Sequence, residues 1–379
     1  MTTVRRQSLC LILTFLALIG LVAPIQIVLD LRAGERSEIV DLFQRIPTRA
    51  NLRRLETSLE NRCRPAQWIR PWAQFAQFIL LHDAGDKALP GRSGWFFYKP
   101  AVQYLVEPCS PGDNNTQGNI FDAIISFRDE LSKRGIRLLV VIAPNKASVY
   151  PEMLAAHAGA AGTPVNPVTR DALTKLDQAG VEVVDLFDIY HQARQSPDNP
   201  AYYLAQDSHW SPEGMRLAAE AVASRLLDAG WVRKGPVEYE LKTMIVERRG
   251  DVLRMIRAPQ IERLYQPERL HCTQVLKART GEPYADDPNS PVLVLGDSFL
   301  RIFERDEPGS GGFVSHLARQ LGFGLTSIIN DGGASTLVRQ QLARKRELLT
   351  GKKIVVWEFV ERDIRFGTEG WQVIPLPRK

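Results

Sequence analysis

The sequence predicts an α/β fold in which helices cover both faces of a mostly parallel sheet, so that the domain has three layers. The first observation is a series of short runs rich in Val, Leu and Ile, the pattern of strands buried on both faces. These runs are Arg137–Ala143, Val181–Asp185, Val292–Leu295, Leu325–Ile329 and Lys353–Phe359. The second observation is that helical patterns alternate with the runs, as in a chain of β-α units.

The predicted helices carry apolar residues at three- and four-residue spacing, as an amphipathic helix packed on a sheet does. They span Asn119–Lys133, Asn166–Ala179, Glu213–Leu227, Phe313–Leu321 and Thr336–Leu349. Ser211 and Pro212 support the start of the third helix, because serine caps helices and proline fits their first turn. Outside this alternation, residues 91–98 predict a turn and a strand, and the charged stretch 234–285 predicts an inserted hairpin or cover.

Composition is that of an ordinary globular protein and argues against nucleic-acid binding. The 379 residues suffice for one large domain or two smaller ones, and 44% of them are hydrophobic and 24% charged. The formal net charge of +5 is spread along the chain without a long basic tract, so we expect no nucleic-acid partner. No nucleotide, metal or flavin motif occurs, so the sequence predicts neither a cofactor nor a metal site.

An apolar run near the amino terminus predicts a membrane helix. Two arginines precede the run, which extends from Leu9 to about Leu29 and has the length of a single span. Basic residues on the amino side predict a cytoplasmic start and an exported body. A cleaved signal peptide is the alternative, but the run is long for one, and no clear small-x-small cleavage site precedes Gln26.

We therefore expect three parts in the chain. Residues 1–30 are predicted to form the cytoplasmic start and an uncleaved transmembrane anchor. Residues 31–90 are polar with scattered aromatic side chains, which predicts a stalk and a helical lead-in. Residues 91–379 are predicted to form the α/β domain, with an insertion around 234–285.

The cysteines suggest one disulfide in the exported part. Cys10 lies in the apolar run, whereas Cys63, Cys109 and Cys272 would face an oxidising compartment. Three exported thiols leave one unpaired, and pairing cannot be read from spacing. Because Cys109 and Cys272 flank the predicted catalytic part of the chain, a bridge between them is our hypothesis.

The segment Pro291–Phe299 is the first candidate for a catalytic position. Its apolar run ends in Gly296, Asp297 and Ser298, and in open α/β sheets ligands bind beyond the carboxyl ends of the strands. Gly296 permits a sharp turn, which would leave the Ser298 hydroxyl exposed at the rim of the sheet as a nucleophile. The alternative is an ordinary turn in which Asp297 and Ser298 cap a helix.

A second motif, Asp207-Ser208-His209-Trp210, supplies the base that a serine nucleophile needs. Residues i and i+2 of an extended segment point to the same side, so Asp207 is expected to contact Nδ1 of His209. This arrangement leaves Nε2 for Ser298, with Trp210 packed beside the ring, and it is the order of groups in a serine hydrolase. The other histidines have no comparable partner pattern and are expected to be structural.

Together the two motifs resemble a known family. Gly-Asp-Ser at a strand end with a separate Asp and His resembles the SGNH (GDSL-like) hydrolases, in which the serine motif ordinarily comes first. Here Asp207 and His209 precede Ser298, and this inverted order is similar to that of the AlgX/AlgJ-type alginate O-acetyltransferases. The resemblance covers roughly residues 91–365. Three further segments share it: Gly94–Tyr98, Lys146–Pro151 and Val356–Asp363.

The resemblance implies an SGNH-like (flavodoxin-like) domain that transfers acetyl groups in the periplasm and is anchored in the bacterial inner membrane. Ser298 would carry the acetyl group, His209 would act as general base, and Asp207 would orient His209. The implied acetyl donor is a membrane-bound O-acyltransferase partner. The implied acceptor is a polysaccharide, either alginate or another exopolysaccharide.

Further residues at the same rim are candidates for binding the reacting groups. A tetrahedral oxyanion needs N–H donors, and the candidates are the backbone of Ser298 and the loop residues Asn330, Gly332 and Gly333. The candidates for binding substrate are Lys146, Tyr150, Arg339 and Trp357. Simpler interpretations stay open, namely a plain turn for the loop, an exposed helix face for Arg339 and a bracing role for Trp357.

Two other functions are compatible with the same residues. A carbohydrate acetylesterase would use the same three side chains with water as the acceptor, and the sequence does not report whether water is excluded from the acyl-enzyme. A non-catalytic scaffold of a polysaccharide export complex would need none of the three, and its serine would not react with a serine-directed probe.

Overall fold

A computed structural model describes the chain over residues 3–44, 48–107, 119–158, 166–196, 200–331, 333–366 and 370–376. The chain divides into two compact units. The first consists of Met1–Asp83 with Arg257–Leu264, and the second consists of Ala84–Ile256 with Tyr265–Lys379. Both predicted catalytic motifs therefore belong to the second unit.

Strands and helices alternate through most of the second unit. The strands are β1 Ala88–Pro90, β2 Phe96–Tyr98, β3 Arg137–Ala143, β4 Glu182–Val184, β5 Tyr239–Arg248, β6 Glu268–Lys277, β7 Val292–Gly296, β8 Thr326–Ile329 and β9 Ile354–Val360. The helices are α1 Thr3–Arg32, α2 Glu38–Gln44, α3 Arg49–Arg62, α4 Arg64–Leu81, α5 Lys99–Val106, α6 Ile120–Ser132, α7 Lys146–Val149, α8 Pro151–Leu154, α9 Pro167–Gln178, α10 Leu186–Ala193, α11 Pro212–Asp228, α12 Asp251–Met255, α13 Pro259–Glu262, α14 Ser298–Arg301, α15 Phe313–Leu321, α16 Leu337–Arg344 and α17 Asp363–Phe366. A short 3-10 helix spans Arg346–Leu349.

The first unit is helical and includes the apolar amino-terminal helix. By length and composition, the segment Leu11–Arg32 of α1 is suited to crossing a membrane, and a signal sequence would pass the same test. Near the carboxyl end of α1, Oε1 of Gln26 accepts a hydrogen bond of 2.8 Å from the backbone N–H of Arg64. The Arg64 guanidinium also lies 3.6 Å from the Glu35 carboxylate. The start of α4 is therefore attached to the end of α1.

Within the described residues, five parallel strands in the order β4-β3-β9-β7-β8 form the sheet that the alternation predicted. Strand β4 is shorter than the predicted run 181–185. The reason is that Asp185 leaves the strand and caps α10, where its carboxylate accepts hydrogen bonds from the N–H groups of Phe187 and Asp188.

Both faces of this sheet are buried, which confirms the three-layer prediction. Along β3, Leu138, Val140 and Ile142 belong to one apolar core, and Leu139 and Val141 belong to the other. This division follows from the strand period, since successive side chains point to opposite faces. Helices α6, α9 and α16 pack on the first face, and α10, α11 and α15 pack on the second. The parallel order brings the carboxyl ends of β7, β8 and β9 to one rim.

The charged stretch 234–285 contains the expected hairpin. Strands β5 and β6 pair antiparallel, in a register that runs from Tyr239 opposite Lys277 to Arg248 opposite Glu268. Most side chains of β5 are exposed or half-buried, which accounts for the charged composition that set this stretch apart in the sequence.

The structure describes only one of the two cysteines in the predicted Cys109–Cys272 bridge. Cys272 lies on β6 as a free and fully buried thiol, and burial raises the pKa of that thiol to about 12. Cys109 lies outside the described residues. The inward direction of Cys272 depends on how the hairpin packs against the helices of the sheet domain, which spacing along the chain does not report.

Replacing Gly296 with alanine is expected to destabilise the second unit. A Cβ at this position would meet the Leu300 side chain and would lie 2.5 Å from Oε2 of Glu358. Overpacking of this kind costs about 1–3 kcal/mol in the free energy of unfolding. Chemical denaturation of the Gly296→Ala protein, followed by circular dichroism, should give a lower midpoint than that of the wild type. An unchanged midpoint would mean that the turn after β7 has room for a methyl group.

Candidate active site

Ser298 lies at the rim of the sheet, where β7 ends and the short helix α14 begins. Every residue of β7 is buried, and the Asp297 carboxylate accepts a hydrogen bond of 2.8 Å from the backbone N–H of Phe299. Asp297 thus caps α14, as the simpler interpretation of the motif predicted, and the cap fixes the turn. The Ser298 side chain is left half-buried at the rim.

The side chains of Ser298, His209 and Asp207 meet at this rim, and we refer to these three residues as the relay. Nε2 of His209 lies 2.9 Å from Oγ of Ser298, and Nδ1 of His209 lies 2.6 Å from Oδ1 of Asp207. Both distances are those of hydrogen bonds, and the two ring nitrogens are used in the order that proton transfer requires. The backbone N–H of His209 also donates to Asp207 at 3.2 Å, which holds the pair in its i to i+2 geometry.

Two residues that the sequence analysis missed complete the surroundings of Asp207. Its Oδ2 accepts hydrogen bonds from Nε of Arg248 at 2.9 Å and from the backbone N–H of Asp251 at 3.1 Å. The Asp251 carboxylate accepts in turn from the N–H and the hydroxyl of Ser208, at 2.6 and 2.7 Å. Arg248 and Asp251 follow Asp207 by 41 and 44 residues, and no local motif marks either of them.

Charge and hydrogen bonding set the protonation of the pair. Burial alone would raise the pKa of Asp207, but His209 and Arg248 outweigh burial and hold that pKa well below its ordinary value. Burial alone would lower the pKa of His209, but Asp207 and then Asp251 outweigh burial and raise that pKa above its ordinary 6.5. The carboxylate is therefore ionised, and the imidazole is a stronger base than a free histidine.

Aromatic packing fixes the orientation of the imidazole. The ring centroids of His209 and Phe299 lie 4.8 Å apart, and those of Phe299 and Trp210 lie 5.1 Å apart. Trp210 is fully buried, and its Nε1–H donates to the backbone carbonyl of Phe299 at 3.1 Å. Trp210 was expected to pack beside the His209 ring. In the structure Phe299 packs against the His209 ring, and Trp210 packs edge-to-face against Phe299.

Residues 88–361 match the family model described as "SGNH hydrolase-like domain, acetyltransferase AlgX", which is more than half of the chain. The chain belongs to this family. Both predicted motifs, at residues 207–210 and 296–298, lie within the matched residues.

Similar proteins agree with this assignment. "Probable alginate O-acetylase AlgJ" of Pseudomonas aeruginosa is 28% identical over 240 residues, which are 60% of this chain and 56% of that protein. The protein of the same name from Pseudomonas fluorescens is 24% identical over 79% of this chain and 73% of that protein. The match thus spans little more than half the length of the first relative.

Two solved structures share the fold. The O-acetyltransferase domain of Pseudomonas putida AlgJ aligns over 73% of this chain and 92% of its own, with a TM-score of 0.59 and 21% identity. Pseudomonas aeruginosa AlgX aligns over 72% of this chain and 62% of its own, with a TM-score of 0.53 and 19% identity. At these identities the likeness establishes the fold.

Within the described part of the chain, one group of side chains is close enough to share a metal ion. The ligand atoms of Asp207, His209 and Asp251 lie within 4.8 Å of one another. These atoms already bond to one another, to Arg248 and to Ser208. A cation would have to displace the Arg248 guanidinium and the proton on Nδ1, so the donor set suits a proton relay better than a metal.

The loop after β8 lies beside the serine turn, as predicted for an oxyanion loop. The backbone N–H of Asn330 donates to the carbonyl of Gly296 at 3.0 Å, and Asp331 forms an ion pair of 2.8 Å with Arg301 of α14. Gly333 has φ of +153° and donates its N–H to the carbonyl of Asn330 at 3.1 Å. Gly332 lies outside the described residues. The oxyanion role of this loop remains a prediction.

Lys146 and Tyr150, which were predicted to bind substrate, instead hold the loop that carries the base. The buried ammonium group of Lys146 donates to three backbone carbonyl groups within residues 204–207, at 2.7 to 2.8 Å. Its three N–H groups are thereby used, and burial lowers its pKa to about 7. The buried hydroxyl of Tyr150 accepts from the N–H of Tyr202 at 2.8 Å. Both side chains are positioning residues.

Arg339 and Trp357, the other two substrate-binding candidates, lie inside the core. Trp357 is fully buried on β9, and its Nε1–H donates to the carbonyl of Ala334 at 2.9 Å. The equally buried guanidinium of Arg339 stacks over the Trp357 ring at 5.0 Å and donates to the carbonyl of Ser335 at 2.6 Å. Arg339 therefore does not lie on an exposed helix face, and Trp357 is not accessible for stacking against a sugar.

Replacing Asp251 with asparagine is expected to move the acid limb of the pH–rate profile to lower pH. The negative charge of Asp251 helps to raise the pKa of His209, and a general base acts only when it is unprotonated. Hydrolysis rates of a small acetyl ester, measured against pH for wild type and Asp251→Asn, would report the shift. Asp228→Asn, exposed at the end of α11, is the matched control. A limb that stays in place would contradict this role for Asp251.

Proposed function

We propose that the chain is an O-acetyltransferase that moves an acetyl group through Ser298 onto hydroxyl groups of a periplasmic exopolysaccharide, alginate or a similar polymer. The hydrogen-bonded relay of Ser298, His209 and Asp207 carries the proposal, because it joins a nucleophile, a base and an orienting carboxylate. The similarity to proteins named probable alginate O-acetylases supports alginate as the first polymer to test.

In the first half of the reaction, Oγ of Ser298 attacks the carbonyl carbon of the acetyl donor while Nε2 of His209 takes the hydroxyl proton. The resulting oxyanion would accept hydrogen bonds from the backbone N–H of Ser298 and from the loop that begins at Asn330. Collapse of the intermediate leaves an acetyl ester on Ser298, and His209 returns the proton to the leaving group. Asp207 stabilises the imidazolium while it exists.

In the second half, a sugar hydroxyl occupies the place of the leaving group. His209 takes the hydroxyl proton, the sugar oxygen attacks the acetyl carbonyl, and Ser298 leaves with the proton that His209 carries. The acetyl ester is exchanged between two oxygens, so no cofactor and no water is consumed. The cleft must therefore favour a sugar over water at this step.

We propose that α1 is retained as an inner-membrane anchor, with the body of the protein in the periplasm. The contacts of Arg64 with Gln26 and Glu35 support this, because they make the end of α1 part of the first unit. Trp68 and Trp72 on α4 are 60% and 63% exposed, and exposed tryptophan is typical of a membrane interface. A membrane-bound O-acyltransferase in the same membrane is the proposed acetyl donor.

Replacing Ser298 with alanine is expected to abolish acetyl transfer without unfolding the protein. The hydroxyl is half-buried and its partner is His209, so its loss removes the nucleophile and little packing. Incubation of the wild type with an activated acetyl ester should add one acetyl group to the peptide that contains Ser298, as read by mass spectrometry. Ser327→Ala, whose hydroxyl contacts Asp286, is the control and should label normally. Retained polymer acetylation in Ser298→Ala would overturn the mechanism.

An assay with an added acceptor distinguishes acetyl transfer from hydrolysis. With an acetyl donor and an oligosaccharide present, the proposed transferase should yield acetylated oligosaccharide. Release of acetate at the same rate with and without the oligosaccharide would identify an acetylesterase. Absence of any label on Ser298 would favour the scaffold.

An uncleaved anchor predicts that the mature protein keeps its first 30 residues. Protein purified from membranes of the producing cell should show the intact mass of the full chain and should resist carbonate extraction. The residues of α1 that contact Arg64 would be lost or left at a free end if a signal peptidase had cut near Gln26. A shortened mass with a soluble product would contradict the anchor.

A further inference from the structure

Helix α4 of the first unit has several large apolar side chains in contact with solvent. They are exposed by about half to three quarters, from 48% for Ile79 to 76% for Leu80. The full set is Trp68, Ile69, Trp72, Ile79, Leu80 and Leu81. Single exposed apolar residues are ordinary on a protein surface, whereas a contiguous group of them marks an interaction site.

Most of these residues lie on one side of the helix. At 3.6 residues per turn, positions 68, 69, 72, 73, 76, 79 and 80 fall within an arc of about 140° that extends about 18 Å along the axis. All seven residues are apolar and exposed. The arginine and the glutamines between Trp68 and Leu80, at positions 70, 74 and 77, fall outside the arc. We call this arc the apolar face of α4.

The apolar face is not the side on which α4 packs within its own unit. Helices α1 and α13 pack against α4, and the buried side chains of α4 are Pro65 and Phe78. Phe78 lies about 100° beyond the edge of the apolar face on the helix circumference. The unit therefore uses one side of α4 for its core and leaves the apolar face in contact with solvent.

Helix α4 begins beside the carboxyl end of α1. The backbone N–H of Arg64 donates to Gln26 at 2.8 Å, and the Arg64 guanidinium donates to the carbonyl of Leu29 at 3.4 Å. Gln26 and Leu29 belong to the segment Leu11–Arg32, which is suited to crossing a membrane. The start of α4 is thus placed at the level where α1 leaves the bilayer, which is where lipid is within reach of the apolar face.

The composition of the two helices before the second unit also favours lipid. Tryptophan is enriched where a protein meets the membrane interface, and two of the residues on the apolar face are tryptophans. Residues 49–81 contain six arginines against two glutamates, an excess of four positive charges. An apolar helix face in a basic segment is typical of helices that lie in the interface of a membrane with anionic lipids.

We infer that α4 lies in the membrane interface with its apolar face in contact with lipid, as a second membrane contact in addition to α1. The inference rests on the proposed anchor for the level of α4, but contact between α4 and lipid is measured separately. Helix α4 precedes residues 88–361, which match the family model, so this contact is a property of the amino-terminal unit. Two contacts hold that unit in one orientation on the membrane, whereas α1 alone leaves it free to rotate.

The test is fluorescence quenching of full-length protein in vesicles of phosphatidylglycerol and phosphatidylcholine with brominated acyl chains. Bromine quenches tryptophan only at short range, so quenching reports contact with lipid. The double variant Trp68→Phe, Trp72→Phe keeps the face apolar and should lose most of the quenching seen in the wild type. The other five tryptophans belong to the second unit, where four are buried. The fifth, the half-buried Trp231, supplies the control Trp231→Phe, which should keep the quenching.

A charge on the apolar face should remove it from lipid. On the helix circumference Ile79 lies between Trp68 and Trp72, so Ile79→Glu should lower the quenching by bromine and raise the access of aqueous acrylamide to both tryptophans. Gln77→Glu adds the same charge two residues away, at an exposed position outside the apolar face, and should change neither. Equal effects of the two variants would contradict a lipid contact on this face.

Other occupants of the apolar face give different results. Wild-type emission in which acrylamide but not bromine quenches Trp68 and Trp72 would overturn the inference and leave the face to another protein, even if α1 holds the chain in the vesicles. Emission that neither agent quenches until the protein is diluted in lipid would overturn it in favour of a second copy of the chain. Quenching by bromine would uphold the inference even if Ser298 never becomes acetylated or the chain is cut near Gln26.

Discussion

The buried carboxylate of Asp207 is the constraint on which the rest of the site depends. A charge with no exposed surface is costly unless it is paired and hydrogen-bonded. Both oxygens are used here, Oδ1 by His209 and Oδ2 by Arg248 and the backbone of Asp251. These partners come from the loop before α11 and from the end of β5 with the turn that follows it. Satisfying one charge therefore fixes the base and the hairpin together.

The hairpin is consequently part of the active site. Arg248 binds Asp306 at 3.2 Å as well as Asp207, and Asp306 also pairs with Arg301 of α14. A chain of charges thus connects the carboxylate behind the base to the helix that begins at Ser298. These ion pairs position the nucleophile and the base relative to each other, in addition to the hydrogen bond between them. The hairpin, whose charged and irregular sequence indicated only an insertion, therefore positions the residues of the relay.

The cations that were chosen as substrate-binding candidates have partners inside the protein, for a common physical reason. Lys146 and Arg339 were chosen as cations near strand ends, but backbone carbonyls surround the first and aromatic rings the second. A sequence lists the charges that are present. Whether a given charge is matched within the protein depends on segments that are distant in the chain, such as the loop at 204–207 for Lys146.

By itself, the sequence determined the parallel sheet, its three layers and the pair Asp207 and His209, because each follows from a local period. Apolar runs of strand length indicate two buried faces, and an i to i+2 spacing puts two side chains on one side. The tertiary structure alone decided that Ser298 lies 2.9 Å from His209 and that Arg248 neutralises Asp207. Those outcomes depend on packing between segments separated by tens to hundreds of residues, which no local pattern encodes.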